Sequence, residues 1–408
     1  MTARSTMIAT MVGVAWGVNA AESEAARYFR SDPPNMPTYT LPDPLRFNDG
    51  SAVTSLDEWR TRRRQEILEL FRTHVFGRVP AEAQKRLTAR QVAQQLVPDL
   101  SATWERWALT AEHGGRSFTF HFSMFVPHTP GRHAVWLLIC NRTNVVLDAH
   151  RPADDEFWPV PELLRRGYAT AAFYTWDVDP DRPDGFARGI RALYADRPDV
   201  APDAWGAIAA WAWAASRIAD VLSEHPAVDP QRMAIIGHSR GGKTALWAAA
   251  QDERFALACV NESGCGGANI LRRRFEGRES VAIINRGFPH WFNANFKTYA
   301  NREDDLPVDH HMLVALVAPR WVHVGSAEED IWADPRGEFL GVWHATPVYR
   351  LLGRGGLPSD QMPPIGKVVR GDGLAYHIRP GKHNLTLEDW RTYLKTASIV
   401  FDSSDASK

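Results

Sequence analysis

Cysteine is scarce in this sequence, and the charged residues leave no excess of either sign. The 408 residues include 3 cysteines, an odd number that cannot all be paired within one chain. Lysine and arginine number 47 against 48 aspartates and glutamates, which gives a formal net charge of −1. Without a basic excess, the chain lacks the electrostatic footprint of a nucleic-acid-binding protein. We therefore expect no nucleic acid partner.

Metal-binding patterns are also missing, because the sequence contains neither CxxC nor HExxH. Cys140 and Cys259 fall inside apolar runs, which predicts buried free thiols. A bridge between Cys259 and Cys265 is conceivable, although no spacing pattern supports it. We predict no metal site and no cofactor.

Long apolar runs are absent apart from one short stretch near the N-terminus. The segment MTARSTMIATMVGVAWGVNA carries Arg4, then apolar residues from Met7 to Val18, and ends in small residues. This pattern is typical of a secretory signal peptide, assigned here to residues 1–20, and it is too short to span a bilayer. An N-terminal core helix is the alternative. We expect an exported protein, secreted or periplasmic, that does not sit in a membrane.

The rest of the composition is that of a globular protein, with 44% hydrophobic and 23% charged residues. Residues 30–50 are rich in proline and polar residues, which predicts an extended arm on the surface. A helical period follows from Ser55 to Val75. No internal repeat or low-complexity segment interrupts the chain. We expect residues 21–408 to form a single catalytic domain that acts as a monomer.

The apolar pattern predicts a sheet that begins antiparallel and continues parallel. Alternation from Trp104 to Val126, broken at HGGR, predicts a hairpin. Helical patterns at 203–225 and 387–401 flank or separate later apolar runs, an alternation that predicts an α/β protein with a mostly parallel, doubly wound sheet. The runs predicted to be parallel strands are 133–140, 168–174, 232–237, 255–261, 320–325 and 374–378.

The stretch IIGHSRGGKTALWAAA joins one of these strands to a helix. Gly237–Gly241 has the form G-x-S-x-G, and in a strand-turn-helix context this predicts the nucleophile elbow of an α/β-hydrolase, a three-layer sandwich. Glycines permit the strained turn and the close approach of strand and helix. Ser239 is therefore the predicted nucleophile.

A serine nucleophile needs a base, and in this fold the histidine comes last in chain order. His383 follows the strand predicted at 374–378 and precedes the final helix, so it is the predicted base. His377 lies within that strand and is predicted to be a core residue. His238 adjoins the serine and cannot turn back to it.

The carboxylate that orients the histidine has two candidates. Glu262 follows the strand after the elbow helix, and Asp330 follows the next strand, the usual position in this fold. A helix cap for Asp330 and a loop-stabilising role for Glu262 are the structural alternatives. We expect the two acids to share the task, with Glu262 the larger contributor.

Two basic residues follow the serine on the elbow helix. Arg240 opens the helix, where its guanidinium, its backbone N–H and the positive helix end can face a developing oxyanion. Lys243 lies one turn beyond Ser239 and can face the same pocket. The alternative for Arg240 is a surface ion pair with an acid, and the alternative for Lys243 is a pair with a carboxylate.

Longer motifs resemble the glucuronoyl esterases of carbohydrate esterase family 15, and the bacterial members in particular. The resemblance covers the whole mature chain. It rests on PPNMPTYTLPDPL, RRQEILELFRTHVFGRVP, GHSRGGKTALWAAAQDERFALACVNESGCGGA, FPHWFNANF, APRWVHVGSAEEDIWADPRGEF and GKHNLT.

The resemblance implies an α/β-hydrolase that cleaves the ester between 4-O-methyl-glucuronic acid of glucuronoxylan and lignin alcohols through an acyl-enzyme. It implies Ser239 as nucleophile and His383 as base. In the same way Glu262 resembles the acid of the family, Asp330 the second carboxylate of many bacterial members, and Arg240 the oxyanion-hole donor.

The resemblance also implies a sugar site. Lys243, Glu279 and Trp332 resemble residues that hold the hydroxyl groups and ring of the sugar, and Trp291 could stack on a sugar ring as well, with core packing as the alternative for both tryptophans. The segment LRRRFEGRESVA is longer than in the usual arrangement, so Glu276 could compete with Glu279.

One departure concerns the residue before the serine. Fungal members place a cysteine there and bridge it to the histidine region, whereas this chain has His238 and no cysteine near His383. The bridge must be absent. Two other functions stay open: another carboxylic ester hydrolase such as an acetyl xylan esterase, and a non-catalytic protein that binds uronate sugars.

Overall fold

A computed structural model describes residues 32–34, 36–142, 148–150 and 155–402. The predicted signal peptide, residues 1–20, lies outside the described residues. Within the described part of the chain, none of the helices is both long enough and apolar enough to cross a bilayer.

The architecture is built on one ten-stranded sheet with the strand order β1-β2-β3-β5-β4-β6-β7-β8-β10-β9. The pairs from β5 to β10 in that order are parallel, and the pairs on either side are antiparallel. The strands are β1 (Thr88–Val97), β2 (Ala102–His113), β3 (Arg116–Pro127), β4 (His133–Cys140), β5 (Ala169–Tyr174), β6 (Val228–His238), β7 (Phe255–Asn261), β8 (Trp321–Ala327), β9 (Lys367–Arg370) and β10 (Leu374–Arg379).

Helices connect most of the parallel strands. Two π-helical segments, Trp59–Arg63 and Arg72–Phe76, extend the first helices, and Ile331–Ala333 is a 3₁₀ turn. The α-helices are α1 (Leu56–Glu58), α2 (Arg64–Phe71), α3 (Val160–Arg165), α4 (Thr175–Val178), α5 (Arg191–Tyr194), α6 (Ala207–Glu224), α7 (Arg240–Gln251), α8 (Val281–Gly287), α9 (Ala294–Lys297), α10 (His310–Ala315), α11 (Pro335–His344), α12 (Thr346–Leu351) and α13 (Leu387–Asp402).

The sheet lies between two hydrophobic cores. Along β4, Val135, Leu137 and Ile139 belong to the core that includes α6 and α7, whereas the intervening residues belong to the core that includes α13. A parallel strand with both faces covered reads as a continuous apolar run, which is why β4 was recognisable in the sequence. The result is three layers, and the predicted α/β-hydrolase fold class is confirmed.

The hairpin and all six predicted parallel strands are present, within a few residues of their expected bounds. β1 was not predicted, because its residues are almost all exposed and show no apolar face. It forms by pairing with β2 across nearly its whole length. The short antiparallel strand β9 was also not predicted, because it shows no apolar face: two of its residues are exposed and two are half-buried.

Cys140, Cys259 and Cys265 are all buried, and none of them forms a disulfide. Buried thiols outside a disulfide were expected for the first two, and this is confirmed. The conceivable Cys259–Cys265 bridge does not form.

Candidate active site

The elbow between β6 and α7 has the strained backbone that the motif predicts. Ser239 has φ 58° and ψ −123°, a region that costs a residue with a side chain about 1–3 kcal/mol. A Cβ added at Gly237 would lie 2.1 Å from the carbonyl oxygen of Gly241. Strand and helix therefore touch here backbone to backbone, and this contact holds Ser239 at the carboxyl edge of the sheet.

His383 lies in the loop between β10 and α13. Its Nδ1 is 2.6 Å from Asp330 Oδ2 and 3.1 Å from Glu262 Oε2, and its side chain is 41% exposed. The His383 ring lies 4.3 Å from the ring of His238, which directly precedes Ser239. Because the carboxylates engage Nδ1, Nε2 is the nitrogen left for the serine.

The structure brings both candidate acids to the same imidazole nitrogen. Asp330 opens the turn Ile331–Ala333, but its side chain does not cap that turn. Glu262 accepts hydrogen bonds from Arg379 Nη2 at 2.6 Å and from the Asn384 backbone N–H at 2.9 Å. Asp330 is thus the nearer partner of His383, whereas Glu262 also fixes the loop, so the distances favour the opposite ranking to the one expected from sequence.

The protonation equilibria of this cluster are coupled. Burial alone lowers the pKa of His383, but hydrogen bonds to Asp330 and Glu262 and their negative charges outweigh it and raise that pKa to about 9. Burial raises the pKa of Glu262 to about 8, although His383 and Arg379 act in the opposite direction. The two acids therefore favour the imidazolium, the state that forms when His383 accepts a proton.

Arg240 starts α7 immediately after the serine. Its Nη1 donates to Asp181 Oδ2, and its guanidinium carbon lies 4.9 Å from the centre of the Trp291 ring. The side chain is 29% exposed. The guanidinium is thus fixed on one side and open on another, beside the positive end of a helix, as an oxyanion donor requires.

The predicted sugar-binding residues lie near one another. Lys243 Nζ lies 3.1 Å from Glu279 Oε2, and both side chains are buried. The Glu279 N–H donates to the carbonyl of Trp332, whose side chain is 48% exposed. Glu276 is exposed, so Glu279 is the carboxylate paired with Lys243.

Trp291 also lies beside this group, with its ring centre 5.7 Å from Lys243 Nζ, but it is buried. Only 2% of it is exposed, its indole N–H donates to Asp181 Oδ1 at 2.7 Å, and its ring stacks on Phe288. The structure therefore places Trp291 beneath Arg240, in a packing and orienting position, instead of on a face open to a sugar ring.

Two supporting residues were missed by sequence reasoning. Arg379, at the end of β10, binds Glu262, Asp389 and the carbonyl oxygens of Lys382 and Asn384 on either side of His383. Its position just before the GKHN loop was the available signal. Glu338, on α11, accepts hydrogen bonds from residues 263 and 264 directly after Glu262; no local motif marks it.

Among the described residues, His238, Glu262 and His383 could each offer a ligand atom to a metal, since those atoms lie within 4.8 Å of one another. However, both oxygens of Glu262 already accept hydrogen bonds, one from the cationic Arg379. His238 Nδ1 bonds the side-chain oxygen of Asn261 at 2.6 Å. These hydrogen bonds occupy atoms that a metal ion would need as ligands.

Fold and site together define an α/β-hydrolase of the serine type. Residues 188–353 match the family described as "Glucuronyl esterase, fungi", and the chain is 38% identical over 404 residues to "Carbohydrate esterase MZ0003" from an unknown prokaryotic organism, covering 91% of this chain and 92% of that one. The glucuronoyl esterase from Solibacter usitatus superposes with a TM-score of 0.82 at 37% identity, over 90% of this chain and 99% of the other. The chain belongs to the glucuronoyl esterases of carbohydrate esterase family 15 and is a carboxylic ester hydrolase.

Fungal relatives are more distant. The "4-O-methyl-glucuronoyl methylesterase" of Schizophyllum commune is 31% identical over 321 residues, covering 77% of this chain and 74% of that protein. The family predicted from the sequence motifs is confirmed. The greater similarity to prokaryotic than to fungal relatives agrees with the predicted bacterial type.

Proposed function

We propose that the protein hydrolyses the ester that joins 4-O-methyl-glucuronic acid of glucuronoxylan to lignin alcohols. The observation that carries this proposal is the placement of His383, backed by two buried carboxylates, against the residue that precedes the elbow serine. The names of the fungal relatives support the acid part of the substrate. The alcohol part rests on the family resemblance of the sequence motifs.

In the proposed reaction, Ser239 Oγ attacks the ester carbonyl carbon while His383 Nε2 takes its proton. The negative oxygen of the tetrahedral intermediate is stabilised by Arg240 and the start of α7. Collapse of the intermediate breaks the ester bond, and the alcohol leaves with the proton from His383. Water, activated by the same histidine, then attacks the acyl-enzyme and releases the uronic acid and the free serine.

Asp330 and Glu262 share the orientation of His383 in this proposal. One Nδ1 proton can be held closely by only one carboxylate, while the other still contributes its negative charge. The distances of 2.6 Å for Asp330 and 3.1 Å for Glu262 support Asp330 as the holder of the proton.

Sugar recognition is assigned to Lys243, Glu279 and Trp332. The first two are charged groups held in a buried pair that can donate to and accept from sugar hydroxyl groups. Trp332 offers an exposed aromatic face for ring stacking. This set suits a uronate ester, whose acyl part is a sugar ring, better than an acetyl ester, whose acyl part has no ring to hold.

We further propose that residues 21–408 form one exported catalytic domain that works as a monomer. The N-terminal sequence, with Arg4 and an apolar run, supports export. N-terminal sequencing of the mature protein and size-exclusion chromatography test these points.

The nucleophile is tested by Ser239→Ala. This variant should fold normally yet lose about 10³-fold or more in kcat on benzyl glucuronate, because no other group can form the acyl-enzyme. A variant that kept a tenth of wild-type turnover would rule out Ser239 as the nucleophile.

The two alternative functions are tested with the wild-type protein. A higher kcat/KM on acetylated xylan than on benzyl glucuronate would favour an acetyl xylan esterase. Binding of glucuronate without turnover would favour a binding protein.

A further inference from the structure

Asp181 is a buried carboxylate that no sequence motif singled out. It lies in the chain between α4 and α5, with a side chain only 3% exposed. Three side chains donate to it: Arg240, His290 and Trp291. A carboxylate this buried needs such partners to remain charged, and together they hold its pKa below the ordinary value despite burial, which acts in the opposite direction.

The two oxygens of Asp181 have different partners. Oδ1 accepts from His290 Nε2 at 2.9 Å and from the indole N–H of Trp291 at 2.7 Å, whereas Arg240 is the partner of Oδ2 among the described residues. His290 and Trp291 are themselves buried, 7% and 2% exposed. The carboxylate is therefore locked at one oxygen by two packed rings, and its other oxygen presents a fixed acceptor to the arginine.

Two aromatic rings fix the orientation of the Arg240 guanidinium, in addition to its ion pair with Asp181. Its guanidinium lies over the rings of Trp291 and Phe288, at 4.9 and 5.4 Å from their centres, and these two rings stack on each other at 3.8 Å. Its Nε–H has no hydrogen-bond partner among the described residues. Arg240 is thus anchored through Nη1 and through its planar face, and no described residue accepts a hydrogen bond from its Nη2.

We infer that Asp181, supported by His290 and Trp291, is a positioning residue that aims the Arg240 guanidinium at the oxyanion of the reaction. This inference rests on the proposed role of Arg240. A long arginine side chain loses rotamer freedom when it is held, and a preformed anchor removes that cost from the transition state. Asp181 does not touch the substrate in this scheme; it acts through Arg240.

A double-mutant cycle tests the inference with benzyl glucuronate and an aryl acetate. Arg240→Ala should lower kcat about 100-fold, and Asp181→Asn about tenfold with KM changed less than twofold, on both substrates. In the Arg240→Ala background, Asp181→Asn should change kcat less than twofold, because the residue through which it acts is gone. Trp291→Phe, which keeps an aromatic ring but removes the indole N–H, should lower kcat about threefold, and it tests the inference if Asp181→Asn does not fold.

Asp179 provides the matched control. It lies close by in the chain, is fully buried, and forms a two-pronged ion pair with Arg191 and not with Arg240. Asp179→Asn should lower the melting temperature while leaving kcat per folded molecule unchanged, and the exposed Asp184→Asn should change neither.

The outcomes separate the positioning role from the role of Arg240. Equal losses for Asp181→Asn with and without Arg240, or wild-type kcat in both Asp181→Asn and Trp291→Phe, would overturn the positioning role alone. Wild-type kcat in Arg240→Ala would overturn the oxyanion assignment and the inference with it. Loss of activity in Ser239→Ala would still stand as the separate test of the proposed reaction.

Discussion

At the scale of single residues, the central feature is one imidazole nitrogen shared by two acids. Asp330 and Glu262 both lie within 3.1 Å of His383 Nδ1, and Glu262 is also tied to Arg379. A carboxylate that must neutralise an arginine has less of its charge available to the histidine. Asp330 is therefore the stronger partner of His383, because it lies closer to Nδ1 and because Arg379 competes with His383 for Glu262.

The pH dependence of kcat/KM should show this arrangement. His383 must be neutral to accept the proton of Ser239, and its raised pKa of about 9 means that kcat/KM rises with pH up to about that value. Asp330→Asn removes a hydrogen bond and a negative charge that raise the pKa, while the effect of burial, which lowers it, remains. The rising limb should therefore move to lower pH by about one unit or more, and the plateau should fall about tenfold.

Glu262→Gln is the matched comparison for that profile. It should shift the limb in the same direction by a smaller amount, and the double variant should approach the loss of His383→Ala. If the rising part of the kcat/KM profile stayed at the wild-type pH in Asp330→Asn but moved in Glu262→Gln, Glu262 would be the larger contributor, as expected from sequence.

Lys243 and Glu279 should act on binding rather than on chemistry. Alanine at either position should raise KM for benzyl glucuronate about tenfold, the equivalent of roughly 1.4 kcal/mol for a lost hydrogen bond, with little change in kcat. An aryl acetate has no sugar to hold, so its kinetics should change less. Equal losses on both substrates would contradict this division, and Glu276→Ala, at an exposed position, is the control that should leave both unchanged.

At the scale of elements, the strand-to-helix junction of β6 and α7 carries the site. Gly237→Ala would push a methyl group to 2.1 Å from a backbone oxygen that cannot move away without shifting the helix. We expect a loss of about 3 kcal/mol or more in the free energy of unfolding, measured by urea denaturation, because overpacking against backbone cannot relax.

Gly287→Ala provides the control for the elbow. Gly287 ends α8, and a Cβ there would meet no atom within 4 Å. Its unfolding free energy should stay within about 1 kcal/mol of wild type. Equal stability of the two variants would show that the elbow tolerates a side chain at Gly237.

At the scale of the whole molecule, the N-terminal arm is attached to the loops that surround the site. Asp32 forms ion pairs with Arg273 and Arg336. Arg273 is fully buried and also pairs with Asp334. His311 Nε2 lies 2.9 Å from the carbonyl oxygen of Pro42. The arm therefore ties together segments that are distant in the chain.

Asp32→Asn should lower stability slightly, by about 1 kcal/mol at neutral pH, because the pair is partly exposed. Burial raises the pKa of Asp32, but the bonds to Arg273 and Arg336 outweigh it and lower the pKa below the ordinary 3.8. The stabilisation is therefore present above pH 3.8 and is lost as pH falls through the lowered value. Melting temperatures of wild type and variant should differ at pH 7 and converge below pH 3.8, whereas Asp99→Asn, at an exposed position, should match wild type at both.

Sequence alone determined the fold class and six parallel strands, and it predicts Ser239 as the nucleophile and His383 as the base, because these depend on local patterns. Apolar runs report strands buried on both faces, and the elbow requires glycines within a few residues of Ser239. His383 followed from chain order. β1 left no such trace, since pairing with β2 and not its own apolar face makes it a strand.

Only the tertiary structure decided which acid holds His383, why Arg240 points where it does, and that Trp291 is buried. Asp181 is 59 residues from Arg240 in the chain, and Glu262 is 117 from Arg379. No local pattern encodes a contact over such a separation. These contacts exist because parallel strands bring their carboxyl ends to one edge of the sheet, where the loops after them meet, and the packing of those loops sets each distance.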